Sequence, residues 1–158
     1  MDNNYVTVTS ASDYTIVVDV PEIQLHRVWK KRGSHYPIDR KALFHAYYDP
    51  SVEYLFKKGM LTTDDKQFLI DVGLATDEGE TEIITLTDTM VNRLLKLMPI
   101  SDARETMKKL SQIQIEELAD YAVEHYKELS MDRIDLLAKA SGKNLMRAIE
   151  LYKAAREG

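Results

Sequence analysis

The apolar residues of this chain change their spacing near residue 38, and that change limits the possible folds more than any other feature. In the run from Tyr14 to Val20, every second residue is apolar, while Thr15, Val17 and Asp19 face the other side. This period of two is typical of a half-buried strand. After residue 38 the apolar positions recur every three or four residues, as in amphipathic helices. The sequence predicts an α+β fold, with a small β-rich amino-terminal part followed by a mostly helical part and a carboxy-terminal helical bundle.

Strands are predicted in three early runs and one later one. The early runs cover residues 5–9, residues 14–20 and a third segment from residue 23 to near Gly33, and each is bounded by turn-forming residues or proline. A plausible turn at Asp77–Glu80 precedes a fourth predicted strand, Thr81–Leu86. We place the boundary between two parts near Ala75–Glu82, which gives a β-rich part with short helices over residues 1–80 and a helical bundle over residues 81–158.

Capping residues, prolines and glycines in the remaining sequence indicate where helices begin and end. A short helix is predicted from Ile38 to Ala46, and a second begins at Asp49-Pro50 and stops at Gly59. A third is expected to start within residues 62–65 and to stop at Gly73.

Later helices carry similar signals. Thr87 is expected to cap a helix that Pro99 ends, and Ser101 to cap the next. Ser111 and Gln114 form a capping-box pattern, which predicts a helix from about residue 111 to 129. Ser130 repeats the serine cap for a helix that reaches Gly142, and a last helix covers about residues 144–156.

Composition removes several classes of function. The chain has 158 residues and no cysteine, so disulfides and thiolate chemistry are excluded and an intracellular setting is expected. No run approaches the roughly 20 apolar residues that a membrane span needs, and no signal-peptide pattern opens the chain. The four histidines lack metal-site spacing, and no phosphate-binding glycine loop or nucleophile elbow occurs. We therefore predict a protein that is not an enzyme, with no catalytic residue, metal or cofactor.

Residues 25–41 stand out for their charge. They hold six cations against one acid in a protein whose formal net charge is −5, and Trp29, Tyr36 and two histidines lie among them. Cations beside aromatic rings can hold phosphates and stack bases, or can bind an acidic protein surface. The competing interpretation has Trp29 in the core and the lysines protecting an exposed strand edge. The candidate contact residues are Arg27, Lys30, Lys31, Arg32, Tyr36, Arg40 and Lys41.

A second pattern lies near the carboxy terminus. Leu137-Ala138 and Gly142, followed by Ala148 and Leu151, partly match a helix-turn-helix. The segment from Ser111 to Gly158, however, contains seven basic and nine acidic residues, so it lacks the excess of positive charge expected of a DNA-binding domain. An ordinary helical hairpin is the favoured interpretation.

The middle of the chain resembles small uncharacterised proteins encoded by tailed bacteriophages. The resemblance rests on Leu25–Trp29, on Ile38 with Leu43, and on Ala46–Phe56 followed by Gly59-Met60-Leu61; the stretch Leu136–Leu151 has a similar character. These residues are mainly packing and turn positions, so no functional residue is carried over. The resemblance implies a virion-associated assembly role, or control of host or phage processes through protein contacts.

The sequence thus predicts a non-enzymatic protein-interaction or assembly protein, found in the host cytoplasm or the virion. A protein partner or self-association is expected, and one route to self-association is that runs of β-branched residues near the amino terminus pair with a strand of another copy. No membrane contact is expected. The alternative is a nucleic-acid-binding accessory or regulatory protein that uses the basic segment 25–41.

Overall fold

A computed structural model describes residues 4–157, and it divides into an amino-terminal unit that ends at Asp88 and a carboxy-terminal unit that begins at Thr89. The sequence placed this boundary near Ala75–Glu82. All strands of the described residues lie in the first unit, and the second unit is helical. The predicted α+β class, with a small amino-terminal sheet followed by helices, is confirmed.

The described part of the amino-terminal unit contains five strands: β1 (Tyr5–Ser10), β2 (Ile16–Val20), β3 (Leu25–Trp29), β4 (His35–Asp39) and β5 (Leu61–Thr62). β1 is the central strand of a three-stranded antiparallel sheet, between β4 and β5. Val6 and Val8 alternate with exposed residues in β1 and are buried, as the period of two requires. β2 and β3 form a separate two-stranded antiparallel ribbon, in which Val18 lies opposite Arg27.

A 3₁₀ turn, Pro21–Ile23, and three α-helices complete the described part of this unit: α1 (Arg40–Tyr47), α2 (Pro50–Lys57) and α3 (Lys66–Asp71). Each begins after an aspartate, and the carboxylates of Asp39, Asp49 and Asp65 accept a backbone N–H of the first turn. The rings of Tyr47 and Phe68 meet nearly edge to face, with centroids 6.2 Å apart, so α1 and α3 share an aromatic core.

α4 (Asp88–Asn92) begins at the last residue of the first unit and continues as a π-helical turn over Arg93–Leu97. Four further helices of the second unit follow: α5 (Ile100–Met107), α6 (Gln112–Glu124), α7 (Met131–Ser141) and α8 (Leu145–Glu157). A 3₁₀ turn, Tyr126–Glu128, follows α6. α6 packs against α7 and α8, and α5 packs against α7. Leu118, Leu137 and Leu145 are almost completely buried. Gly142 ends α7 in the left-handed conformation, with φ of 73°.

Several predicted elements were wrong in their bounds. Ile38 belongs to β4, where it pairs with Val6, so α1 begins at Arg40 rather than at Ile38. Thr81–Leu86 has the residues of a strand but forms none, since no neighbouring strand pairs with it.

α3 begins after its N-cap Asp65, inside the predicted range 62–65. Two other helix bounds differ from the prediction. The helix predicted to reach residue 129 ends at Glu124, and the chain tightens into the 3₁₀ turn. Pro99, not Ser101, occupies the N-cap of α5, because proline is compatible with the extended backbone before a helix.

Candidate interaction site

The basic segment 25–41 does not act as one surface, because its arginines have different environments. Arg32 is 8% exposed. Its guanidinium donates to the carbonyl oxygens of Ala11, at 2.7 Å, and of Leu86. It also pairs with the carboxylates of Asp13 and Asp88, at 3.2 and 3.5 Å. Arg32 therefore joins parts of the amino-terminal unit that are distant in sequence.

Arg40 is also held by the fold. Its two terminal nitrogens donate to both carboxylate oxygens of Asp65, at 3.2 and 2.5 Å, which ties the start of α1 to the start of α3. The hydrogen bond from Arg40 lowers the pKa of Asp65 below its ordinary value, although partial burial opposes the shift. This bidentate geometry is typical of a structural pair.

The aromatic residues of the segment face inward. Trp29 is fully buried and its indole N–H donates to the Val8 carbonyl at 3.0 Å. The Tyr36 ring meets Trp29 edge to face at 5.4 Å, and the Tyr36 hydroxyl donates to the Val28 carbonyl at 2.8 Å. The expectation that Trp29 continues the core face of its strand is confirmed. Neither ring is presented as a stacking platform.

Four of the seven candidate residues remain at the surface. Lys30, Lys31 and Lys41 are exposed, and Arg27 is half-buried with its guanidinium donating to the His26 carbonyl. None of these four forms an ion pair within the described residues. They lie on β3, on the turn after it and on α1, so the structure distributes the charge over separate elements.

The ribbon of β2 and β3 has one apolar face and one solvent face. Ile16, Val18 and Val20 are buried, as the sequence pattern predicted. On the outer face, Val17 lies opposite Val28, and Asp19 lies opposite His26 with 3.4 Å between its carboxylate and the imidazole Nδ1. Val17 is 53% exposed, which is unusual for a β-branched residue in the centre of a strand.

The outer edge of β2 is open. Its backbone pairs with β3 on one side, and within residues 4–157 no backbone N–H or C=O of Ile16–Val20 bonds to any other part of the chain. A five-residue strand composed of Ile-Val-Val-Asp-Val has high β-propensity and a single charge. Such an edge is a template for another strand.

The other strand edges of the described residues are protected. Pro37 interrupts the N–H groups of β4, and β5 is only two residues long. On β3, the Val28 carbonyl already accepts a hydrogen bond from the Tyr36 hydroxyl. Two exposed lysines, Lys30 and Lys31, directly follow this strand, and charged residues discourage pairing at an edge. β2 is therefore the one described strand that combines length, apolar character and an open side.

The sequence did not single out Val17. The signal was present, because Val17 shares the polar face of its strand with Thr15 and Asp19, where an apolar side chain is out of place. The open edge itself is a property of topology, which the strand pattern alone does not contain.

Within the described residues, no three His, Asp or Glu side chains are grouped closely enough to hold a metal ion. Burial raises the pKa of the Tyr47 phenol, whose oxygen has no hydrogen-bond partner in the described part of the chain and lies in the aromatic core. No helix between residues 4 and 157 is both long and apolar enough to cross a bilayer.

Comparisons of this chain with protein-family models, curated proteins and solved structures found no match.

Proposed function

We propose that this protein is a non-enzymatic assembly protein whose copies associate through the open edge of β2. The observation that carries the proposal is the absence of a backbone partner on the outer side of Ile16–Val20 in the described residues. Pairing two such edges satisfies the backbone groups of both strands and turns two ribbons into one four-stranded sheet. The interface is isologous, because the same edge serves both copies.

The residues of β2 are compatible with pairing to themselves. In an antiparallel pair centred on Val17, Asp19 lies opposite Thr15, and in a pair centred on Val18 it lies opposite Val17. Neither register brings the two Asp19 carboxylates together, so like charges do not oppose pairing. In both registers Ile16, Val18 and Val20 stay on the core side, so the apolar face becomes longer.

The resemblance to tailed-phage proteins indicates where the proposed self-association takes place. A self-associating protein of this kind serves virion assembly, or acts in the host cytoplasm through protein contacts. This part rests on the residue pattern of segments 25–61 and 136–151 alone.

The alternative, nucleic-acid binding through the basic segment, has weaker support. It retains the exposed Lys30, Lys31 and Lys41, but Arg32 and Arg40 are engaged with the fold and Trp29 is buried. Cations without stacking rings favour weak, salt-sensitive contacts with phosphates.

A single substitution tests self-association. Val17→Glu places a carboxylate in β2 that lies opposite its own copy in the register centred on Val17 and opposite Asp19 of the second copy in the register centred on Val18. Like charges therefore oppose pairing in both registers, and Val17 is exposed enough to be replaced without disturbing the core. Light scattering over about 5 to 200 μM should show the parent increasing in mass and the variant remaining monomeric.

The matched control is Leu151→Glu in α8, since Leu151 is 56% exposed against 53% for Val17. The control should associate like the parent. A parent that is monomeric throughout the range, or a Val17→Glu variant that associates as strongly, would contradict the proposal.

A further inference from the structure

The carboxy-terminal unit has a groove that self-association through β2 does not use. It has a volume of about 330 Å³ and runs between α5 and α7 across the start of α6. Its floor is apolar and consists of Met107, Ile115, Leu136 and Ala140. A groove of this size matches the smaller binding clefts of proteins.

Every charged residue that lines the groove is a cation. Arg104 and Lys108 belong to the end of α5, and Lys139 stands across from them on α7. Lys108 Nζ forms an ion pair with Glu105 Oε1 at 2.9 Å. Arg104 and Lys139 form no ion pair with any described residue, although the protein as a whole carries a net charge of −5.

We infer that this groove binds an acidic amphipathic helix of a protein partner. An apolar stripe on such a helix fits the floor, and carboxylates on both flanks meet the cations on both walls. A fatty acid has the same apolar and acidic chemistry, but its single carboxylate satisfies one wall only. The two-sided charge therefore favours a peptide.

The cations also lie in the last turns of α5 and α7, where positive charge compensates the helix dipole. Compensation alone predicts that removing them lowers stability without changing any binding. Binding and stability therefore have to be measured on the same variants.

The probe is a fluorescein-labelled synthetic helix of about 16 residues with leucines on one face and glutamates on both flanks. Its twin carries lysines in place of the glutamates. Fluorescence anisotropy with the full chain should show saturable binding of the acidic helix and none of its twin. The variant R104E/K139E should weaken binding by at least about tenfold. The control K109E, an exposed lysine just beyond α5 that does not line the groove, should bind like the parent.

The location of binding is checked independently by NMR. The methyl signals of Met107 and Ile115 should shift when the acidic helix is added. The inference would be overturned if the acidic helix did not bind, if the lysine twin bound equally well, or if R104E/K139E bound as strongly as the parent. It would also be overturned if the methyl shifts were confined to other residues, or if palmitate displaced the peptide. None of these outcomes depends on whether β2 self-associates, so the two proposals fail separately.

Discussion

The guanidinium of Arg32 lies inside the amino-terminal unit, where it donates to the carbonyl oxygens of Ala11 and Leu86. Lys31, its neighbour in the sequence, is exposed. A buried arginine has to satisfy its donors within the protein, and the carbonyl oxygens that it reaches lose their donor if it is removed. Two adjacent cations in the same basic segment therefore have opposite roles, one in stability and one in solvation.

Substituting each of the pair with methionine separates these roles. Arg32→Met should lower the free energy of unfolding by about 2 to 3 kcal/mol, because buried carbonyl groups are left without donors. Lys31→Met should change it by less than about 0.5 kcal/mol. Urea unfolding followed by circular dichroism measures both. Similar losses for the two variants would mean that the Arg32 contacts do not support the fold.

Helix starts in this chain show how far an element can be inferred from local sequence. The capping box of α6 is present as predicted: Ser111 N–H donates to Gln114 Oε1 at 2.9 Å, and Gln114 N–H donates to Ser111 Oγ at 3.4 Å. Ser130 holds the N-cap position of α7 with the same backbone conformation, but its side chain accepts no capping bond. The serine pattern located both starts and did not distinguish their hydrogen bonding.

This difference makes Ser130 a natural control for Ser111. Ser111→Ala should lower stability by about 1 kcal/mol, since it removes the acceptor for the Gln114 N–H and breaks the reciprocal pair. Ser130→Ala should cost only a few tenths of a kcal/mol. Thermal or chemical unfolding of the two variants tests the prediction. An equal effect at both positions would contradict the hydrogen bonding seen at the two caps.

Long-range pairing limited what the sequence could predict about strands. β1 and β2 have a clear period of two and were found. β4 was missed because its residues, His-Tyr-Pro-Ile-Asp, include a proline and become a strand only by pairing with β1. Thr81–Leu86 shows the reverse case, because strand-forming residues without a partner strand remain irregular.

The candidate site was predicted less well than the fold, for a physical reason. The sequence shows charge but not burial, so Arg32 and Arg40 were grouped with the exposed lysines. Only the structure shows that one is enclosed and the other is paired with Asp65. The sequence predicted that a strand near the amino terminus can pair with another copy, but it could not show that β2 is the open one, since that depends on which strands have neighbours.

At the scale of the whole molecule, each unit carries one proposed contact surface. The amino-terminal unit contributes the β2 edge for a second copy, and the carboxy-terminal unit contributes the cation-lined groove for an acidic helix. Two copies joined through β2 carry two grooves. A partner with two acidic helices then gains avidity when both grooves are within reach of its linker.

Hydrogen exchange in β2 as a function of protein concentration tests the central claim most directly. Amides of Ile16–Val20 that point toward β3 should exchange slowly at every concentration, because they are already bonded. Amides that point away from β3 should exchange rapidly in dilute protein and slow down as the concentration rises, because a second copy bonds to them. Exchange rates in β2 that do not change while the mass of the protein increases would show that the copies meet elsewhere, and would contradict the account.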